Sequence, residues 1–200
     1  QDKPNIENAL RLSIGTVGQM KRFIKVYQDA VLEKTKPKKY AFLDRDGTLI
    51  FEPQDTFQVD SIDKLKILDG VIIGLKKLSK NGYELIMVTN QNGIGTRFFP
   101  QANFEAPQKK MLSIFEKNDI RFKEIHICPH LASENCNCRK PKIGLIKELL
   151  KENLMDKNSS FFCGDRTTDK LFARNAGIKF ISTTTNGNFY KALTKGEIIS

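Results

Sequence analysis

Between residues 40 and 182, short apolar runs alternate with amphipathic stretches, and the runs stop at polar residues. Tyr40 to Leu43 runs into Asp44, and Glu84 to Val88 ends at Thr89. Glu124 to Cys128 leads into Pro129-His130, Ser160 to Cys163 into Gly164-Asp165, and Ile178 to Ile181 closes the series. Runs this short read as buried strands. Between them, apolar residues recur at helical spacing over Val71 to Lys80, Pro107 to Lys117, Ile143 to Leu154 and Thr167 to Asn175. Gly82 is placed to close the first of these helices. Strands alternating with helices predict an α/β fold, a parallel sheet with helices on both faces. The segment after Thr89 is too short for an inserted domain, so no large cap is expected.

Residues 1–39 follow another pattern. Leu10, Leu12 and Ile14 alternate with polar residues, as in a short strand. Thr16 and Gln19 have capping-box spacing, and Val17, Met20, Phe23, Ile24, Tyr27 and Val31 follow at helical spacing. A charged linker, Lys34-Thr35-Lys36-Pro37-Lys38-Lys39, ends the unit. The expected organisation is a strand-helix extension over 1–39 and a main domain over 40–200.

Composition excludes several classes. With 40% hydrophobic and 28% charged residues, the chain is neither disordered, collagen-like nor a coiled coil. No apolar stretch is long enough to span a membrane, and Gln1 to Ala9 lacks an apolar secretory core. The chain begins without Met, as a fragment or trimmed chain would. Four cysteines are too few for a disulfide scaffold of this size, which suits a reducing, cytoplasmic setting. The net charge of +10 fits either attraction to phosphate or a lysine-rich surface. The lysines are spread along the whole chain, which favours the second reading.

In a parallel α/β sheet, ligands bind beyond the carboxyl ends of the strands. Those ends carry Asp44-Arg45-Asp46-Gly47-Thr48, Thr89-Asn90-Gln91, Arg139-Lys140-Pro141 and Gly164-Asp165-Arg166-Thr167-Thr168-Asp169. Carboxylates suit Mg²⁺, and a lysine with backbone N–H groups suits phosphoryl oxygens. Together they form a phosphate and magnesium constellation. A second cluster, Cys128-x-His130 followed by Cys136-x-Cys138, offers three thiolates and one imidazole to a tetrahedral, structural Zn²⁺. His126 is a rival ligand, but it sits inside a strand pattern; Cys163 reads as core.

Asp-x-Asp-Gly-Thr, a Thr at the next strand end, Lys-Pro and Gly-Asp-x-x-x-Asp, in that order, resemble the four motifs of the haloacid dehalogenase superfamily of phosphatases. The resemblance covers about residues 40 to 182 and implies a three-layer, Rossmann-like fold. It implies that Asp44 is the nucleophile, forming an aspartyl-phosphate, and that Asp46 is the acid and base. Thr89 and Asn90 would bind phosphoryl oxygens, and Lys140 would pair with the phosphate and Asp44. Mg²⁺ would be held by Asp44, the Asp46 carbonyl and Asp165, with Asp169 auxiliary.

Cys-x-His, Cys-x-Cys and Arg-Lys-Pro together are similar to the zinc-loop branch, which holds histidinol-phosphate and heptose-bisphosphate phosphatases. Phe57-Gln58-Val59-Asp60 and residues 89–102 resemble the histidinol-phosphate members, in particular the N-terminal domain of the bifunctional phosphatase–dehydratase. Residues 8–16 and the following helix resemble the last strand and helix of histidinol-phosphate aminotransferase, where an Arg in the place of Arg11 binds an acidic group. That would make the chain part of a larger fused polypeptide acting on a small phosphorylated metabolite. Glu52, Gln58, Gln91, Arg97 and Arg139 are candidate substrate contacts. Rival readings are a heptose bisphosphatase, a nucleic-acid 3′-phosphatase and a catalytically dead zinc-loop binding module. No cluster of aromatic and basic residues suits stacked single strands, so no nucleic-acid partner is expected.

Overall fold

The computed structural model describes residues 15–151 and 155–199. Contacts group the chain into two units, 1–36 and 37–200. No helix among the described residues is long and apolar enough to cross a membrane.

In the first unit, α1 spans Val17–Thr35. Thr16 N donates to Gln19 Oε1 at 2.9 Å and Gln19 N donates to Thr16 Oγ1 at 3.4 Å. This reciprocal pair satisfies two N–H groups that an uncapped helix start leaves free. The Phe23 and Tyr27 rings stack with centroids 6.0 Å apart, as residues one helical turn apart can. The strand expected over Leu10 to Ile14, and Arg11 with it, lies outside the described residues. The linker ends early, because Lys39 already belongs to the first strand.

The second unit runs β1 (Lys39–Leu43), α2 (Val71–Lys80), β2 (Tyr83–Asn90), α3 (Gln101–Glu116), β3 (Glu124–Cys128), α4 (Lys147–Lys151), β4 (Phe161–Gly164), α5 (Thr167–Ala176), β5 (Lys179–Ser182) and α6 (Phe189–Lys195). The five strands are parallel, in the order β3-β2-β1-β4-β5. The chain builds outward from β1 to β3, then returns to β4 on the other side. The order therefore reverses between β1 and β4, and a crevice opens beyond their carboxyl ends.

Period-two alternation explains the layers. Ala41 and Leu43 face one core with Leu85, Met87, Phe161 and Cys163, covered by residues of α2, α3 and α6. Tyr40 and Phe42 face the other with Ile86, Val88 and Phe162, covered by Phe172 and Ala173 of α5 and by Ile146 and Leu149. A strand buried on both faces must be apolar throughout. Burying each such Phe or Leu stabilises the fold by ~1.5–3 kcal/mol. Cys163 is core, as expected, and burial pushes its thiol pKa up.

Three elements depart from the sequence reading. α3 begins at Gln101, six residues before the expected start, and carries Pro107 in its interior. The stretch expected as one helix over 143–154 begins as a 3₁₀ turn, Gly144–Ile146, and continues as α4 to Lys151. α6 was not expected; Asn188 caps it, accepting from Lys191 N at 2.9 Å, and Gly196 ends it. The connection from β1 to α2 holds isolated bridges and one 3₁₀ turn, Ile62–Lys64.

Candidate active site

Asp44 follows β1, and its backbone N–H donates to Cys163 O at 3.0 Å, tying it to the end of β4. Lys140 Nζ lies 2.7 Å from Asp44 Oδ1, 2.8 Å from Asp169 Oδ1 and 3.0 Å from Val88 O. The ammonium donates to Asp44 Oδ1 and Val88 O and forms a close ion pair with Asp169, in a side chain 3% exposed. Burial alone would lower the Lys140 pKa, but Asp44 and Asp169 outweigh it and raise it. The ammonium is therefore a fixed positive charge beside Asp44.

The same crowding acts on the acids. Burial, then the Asp44 charge, raises Asp169 to about 6 against the pull of Lys140. Burial also raises Asp165, opposed by the Thr185 hydroxyl, which donates to Asp165 Oδ2 at 2.6 Å. Oxygens of Asp44, Asp165 and Asp169 lie within 4.8 Å of one another, a set of hard donors that suits Mg²⁺. Gly47 has φ +74°, and a Cβ there would stand 2.7 Å from Asp165 Oδ2. Only glycine lets the turn after Asp46 pass so close to that carboxylate.

Asp46 has its own partners. Arg45 Nη1 lies 3.0 Å and 3.1 Å from its two oxygens, and Gln91 Nε2 donates to the same carboxylate. Gln91 Nε2 also donates to Thr89 Oγ1 at 2.8 Å. Arg45 is fully buried, 5.0 Å from the Phe104 ring centroid. No role for Arg45 follows from the sequence alone, where its one signal is a cation between the two motif aspartates.

The remaining expected residues divide. Asn90 is committed to the backbone of Lys140: its Oδ1 accepts from Lys140 N at 3.0 Å and its Nδ2 donates to Lys140 O at 3.2 Å. Glu52 is 3% exposed, and its carboxylate is paired with Arg166. Burial raises the Glu52 pKa, with Arg166 opposing. Asp44, Asp46, Glu52, Gln58, Thr89, Asn90, Gln91, Lys140, Arg166 and Asp169 all line one pocket. Arg139 does not: its guanidinium donates to Asn92 Oδ1 and, at 3.2 Å, to His130 O. Arg97 lies over the Phe98 ring at 4.6 Å and is also outside the lining. A wider groove beside β5 and α6 carries Lys179, Lys191 and Lys195 but no cluster of acids.

The second cluster assembles as its spacing predicts. Cys128 Sγ stands 3.6 Å from Cys136 Sγ and 3.3 Å from Cys138 Sγ. His130 Nδ1 lies 3.1 Å from Cys138 Sγ. Four soft donors this close match the edges of a zinc tetrahedron, which at a Zn–S bond of ~2.3 Å are slightly under 4 Å. Burial and mutual thiol contacts push Cys128 up to about 12. Desolvation acts the same way on Cys136, but its thiol and backbone neighbours outweigh it and hold Cys136 down to about 6. His126 lies outside the cluster, 2.9 Å from Glu124.

A family model described as polynucleotide kinase 3 phosphatase matches residues 39–186. The chain belongs to that phosphatase family. The histidine biosynthesis bifunctional protein HisB of Legionella pneumophila (strain Lens) is 52% identical over 144 residues, 72% of this chain and 41% of that protein. HisB of Campylobacter jejuni subsp. doylei is 47% identical over 161 residues, 80% of this chain and 44% of that protein. The chain thus spans about two fifths of the length of these relatives. Among solved structures, D,D-heptose 1,7-bisphosphate phosphatase from B. bronchiseptica, complexed with magnesium and phosphate, superposes with a TM-score of 0.66. It is 28% identical, covering 79% of this chain and 87% of that one. A HAD-like phosphatase from Mesorhizobium loti shares the fold at TM-score 0.63 and 21% identity, covering 72% and 70%. The architecture is the haloacid dehalogenase fold.

Proposed function

We propose that residues 40–200 are a Mg²⁺-dependent phosphatase that hydrolyses L-histidinol phosphate to L-histidinol and phosphate, in histidine biosynthesis. The observation that carries the chemistry is the Asp44 carboxylate held 2.7 Å from a buried Lys140 ammonium in a polar pocket. The substrate class rests on the curated relatives sharing about half of their aligned residues, which are named for histidine biosynthesis. A heptose bisphosphate and a nucleic-acid 3′-phosphate are the rival substrates.

In this reading Asp44 attacks phosphorus in line and forms an aspartyl-phosphate, splitting one displacement into two. Lys140 neutralises charge on the phosphoryl oxygens and orients Asp44. Asp46 protonates the leaving alkoxide and later takes a proton from water, once released from Arg45 and Gln91. Thr89 directs its hydroxyl at a phosphoryl oxygen. Asn90 acts through Lys140, by fixing its backbone. Asp44 and Asp165, with the Asp46 carbonyl and Asp169 nearby, would hold Mg²⁺, which supplies charge neutralisation at the transferring phosphoryl group. Cys128, His130, Cys136 and Cys138 would hold a structural Zn²⁺ that fixes the loop leading into Lys140. We read residues 1–39 as a separate extension and the chain as part of a larger fused, cytoplasmic polypeptide.

The test is phosphate release with Mg²⁺ from L-histidinol phosphate, a heptose bisphosphate and a 3′-phosphorylated oligonucleotide, with Asp44→Asn as control. Preference for histidinol phosphate, lost in Asp44→Asn, is expected. Preference for another of the three retains the mechanism and overturns the substrate. Release that persists in Asp44→Asn overturns the mechanism.

A further inference from the structure

Fourteen residues line the pocket, and Phe57 is the one apolar side chain among them. It is 58% exposed, although a phenylalanine is ordinarily driven inside. Its backbone is left-handed, with φ +54°. A bulky residue there is strained, and such strain persists where surrounding structure imposes it.

The surroundings do so. Val59, fully buried, anchors the segment two residues later. Phe57 N donates to Pro53 O at 3.0 Å, closing a turn, and Thr56 Oγ1 donates to Gln58 O at 3.3 Å. Gln58 Nε2 reaches Asn92 O at 3.4 Å, and Asn92 in turn accepts from Arg139, which also holds His130 O. The turn carrying Phe57 is thus latched to the Cys/His loop. An aromatic side chain thus stands on a tethered turn beside a pocket whose other lining residues are charged or polar.

We propose that Phe57 is a specificity residue, the platform on which the planar, nitrogen-bearing ring of the phosphomonoester stacks while its phosphate lies at Asp44. The proposal rests on the substrate class proposed above. An imidazole offers Phe57 a flat face, and its protonated form adds attraction to the ring quadrupole. A sugar or glycerol phosphate offers no ring of that kind.

The experiment compares kcat/KM for L-histidinol phosphate and for glycerol 3-phosphate, using the full chain with magnesium and zinc. In Phe57→Gly and Phe57→Ala the ratio of the two values should fall about five- to tenfold, carried by KM for histidinol phosphate. Phe57→Tyr, which keeps the ring, should restore it. Glycine accepts a left-handed φ without strain, so the melting temperature of Phe57→Gly should equal or exceed that of the parent. A ratio unchanged in both truncations overturns the proposal. So does a ratio that falls together with the melting temperature and is not restored by tyrosine, which marks a structural role. A parent protein with no preference for histidinol phosphate overturns the substrate class itself, and the platform with it.

Discussion

Replacing Asp169 with Asn should stabilise this protein while disabling it. Asp169 is fully buried, and its pKa stands at about 6 instead of the ordinary 3.8. Burial and the Asp44 charge outweigh the attraction of Lys140. The folded state therefore holds the Asp169 proton across a range in which the unfolded chain has released it. Stability falls as pH rises from about 4 to about 6, and the cost is complete above the folded pKa. A shift of that size corresponds to ~3 kcal/mol. Asn removes this cost but gives up one hydrogen bond. Asp169 Oδ2 accepts from Arg166 N at 3.0 Å while Oδ1 faces Lys140, and an amide has only one oxygen. That loss is ~1 kcal/mol. A net gain of ~2 kcal/mol should raise the melting temperature by roughly 4–8 °C for a chain of this length. The assay is thermal unfolding of both proteins without added magnesium, from pH 4 to pH 8. The variant should be up to ~1 kcal/mol less stable than the parent near pH 4, overtake it as pH rises towards 6 and keep a constant lead above pH 7. Phosphatase turnover should collapse, because Lys140 loses a positioning partner. An Asn variant less stable than the parent throughout would refute the reasoning.

Three further outcomes follow from the same geometry. Asn90→Ala removes both bonds to the Lys140 backbone and should lower kcat about tenfold or more with little change in KM, since ~1 kcal/mol per bond is lost from positioning; steady-state kinetics checks this. Cys136→Ser should lose bound zinc by elemental analysis and lower activity in parallel, and full activity without zinc would separate the loop from Lys140. Glu84→Gln should flatten acid unfolding. Burial alone would raise the Glu84 pKa, but Lys123 and Lys38, at 2.5 Å and 2.6 Å, outweigh it and hold the value below 4.5. Glu84 thus contributes stability above about pH 4.5 that is lost as pH falls through its folded value; acid denaturation of the two proteins compares them.

Much of this was legible in the sequence because strand ends are marked twice. An apolar run stops, and a residue with chemistry follows: Asp44, Thr89, Asp165. Cys128-x-His130 and Cys136-x-Cys138 were legible because metal ligation demands both residue type and spacing. Helix boundaries were harder. Pro107 looks like a helix start, since proline is favoured there, yet α3 runs through it from Gln101. α6 is seven residues long; Phe189, Ala192 and Leu193 have helical spacing but cover little more than one turn, too short a run to read as a helix, and Asn188 and Gly196 become signals only once its ends are known. The direction of side chains was least legible. Asn90 and Arg139 carry the groups a phosphate would want, and both commit them to the protein itself. Nothing in the residue type of Arg45 announces that it is fully buried.

Cys138, Arg139 and Lys140 are consecutive, and their side chains go three separate ways. The first joins the thiol cluster, the second latches Asn92, and the third reaches the Asp44 carboxylate. Neighbouring Cα atoms are only ~3.8 Å apart, so this tripeptide has no slack to distribute. A residue inserted or deleted within it would put two of the three contacts out of register at once. The loop before it, 129–137, is under no such arithmetic at its tip. Length variation among natural and engineered forms should therefore gather between His130 and Cys136 and stop abruptly at Cys138.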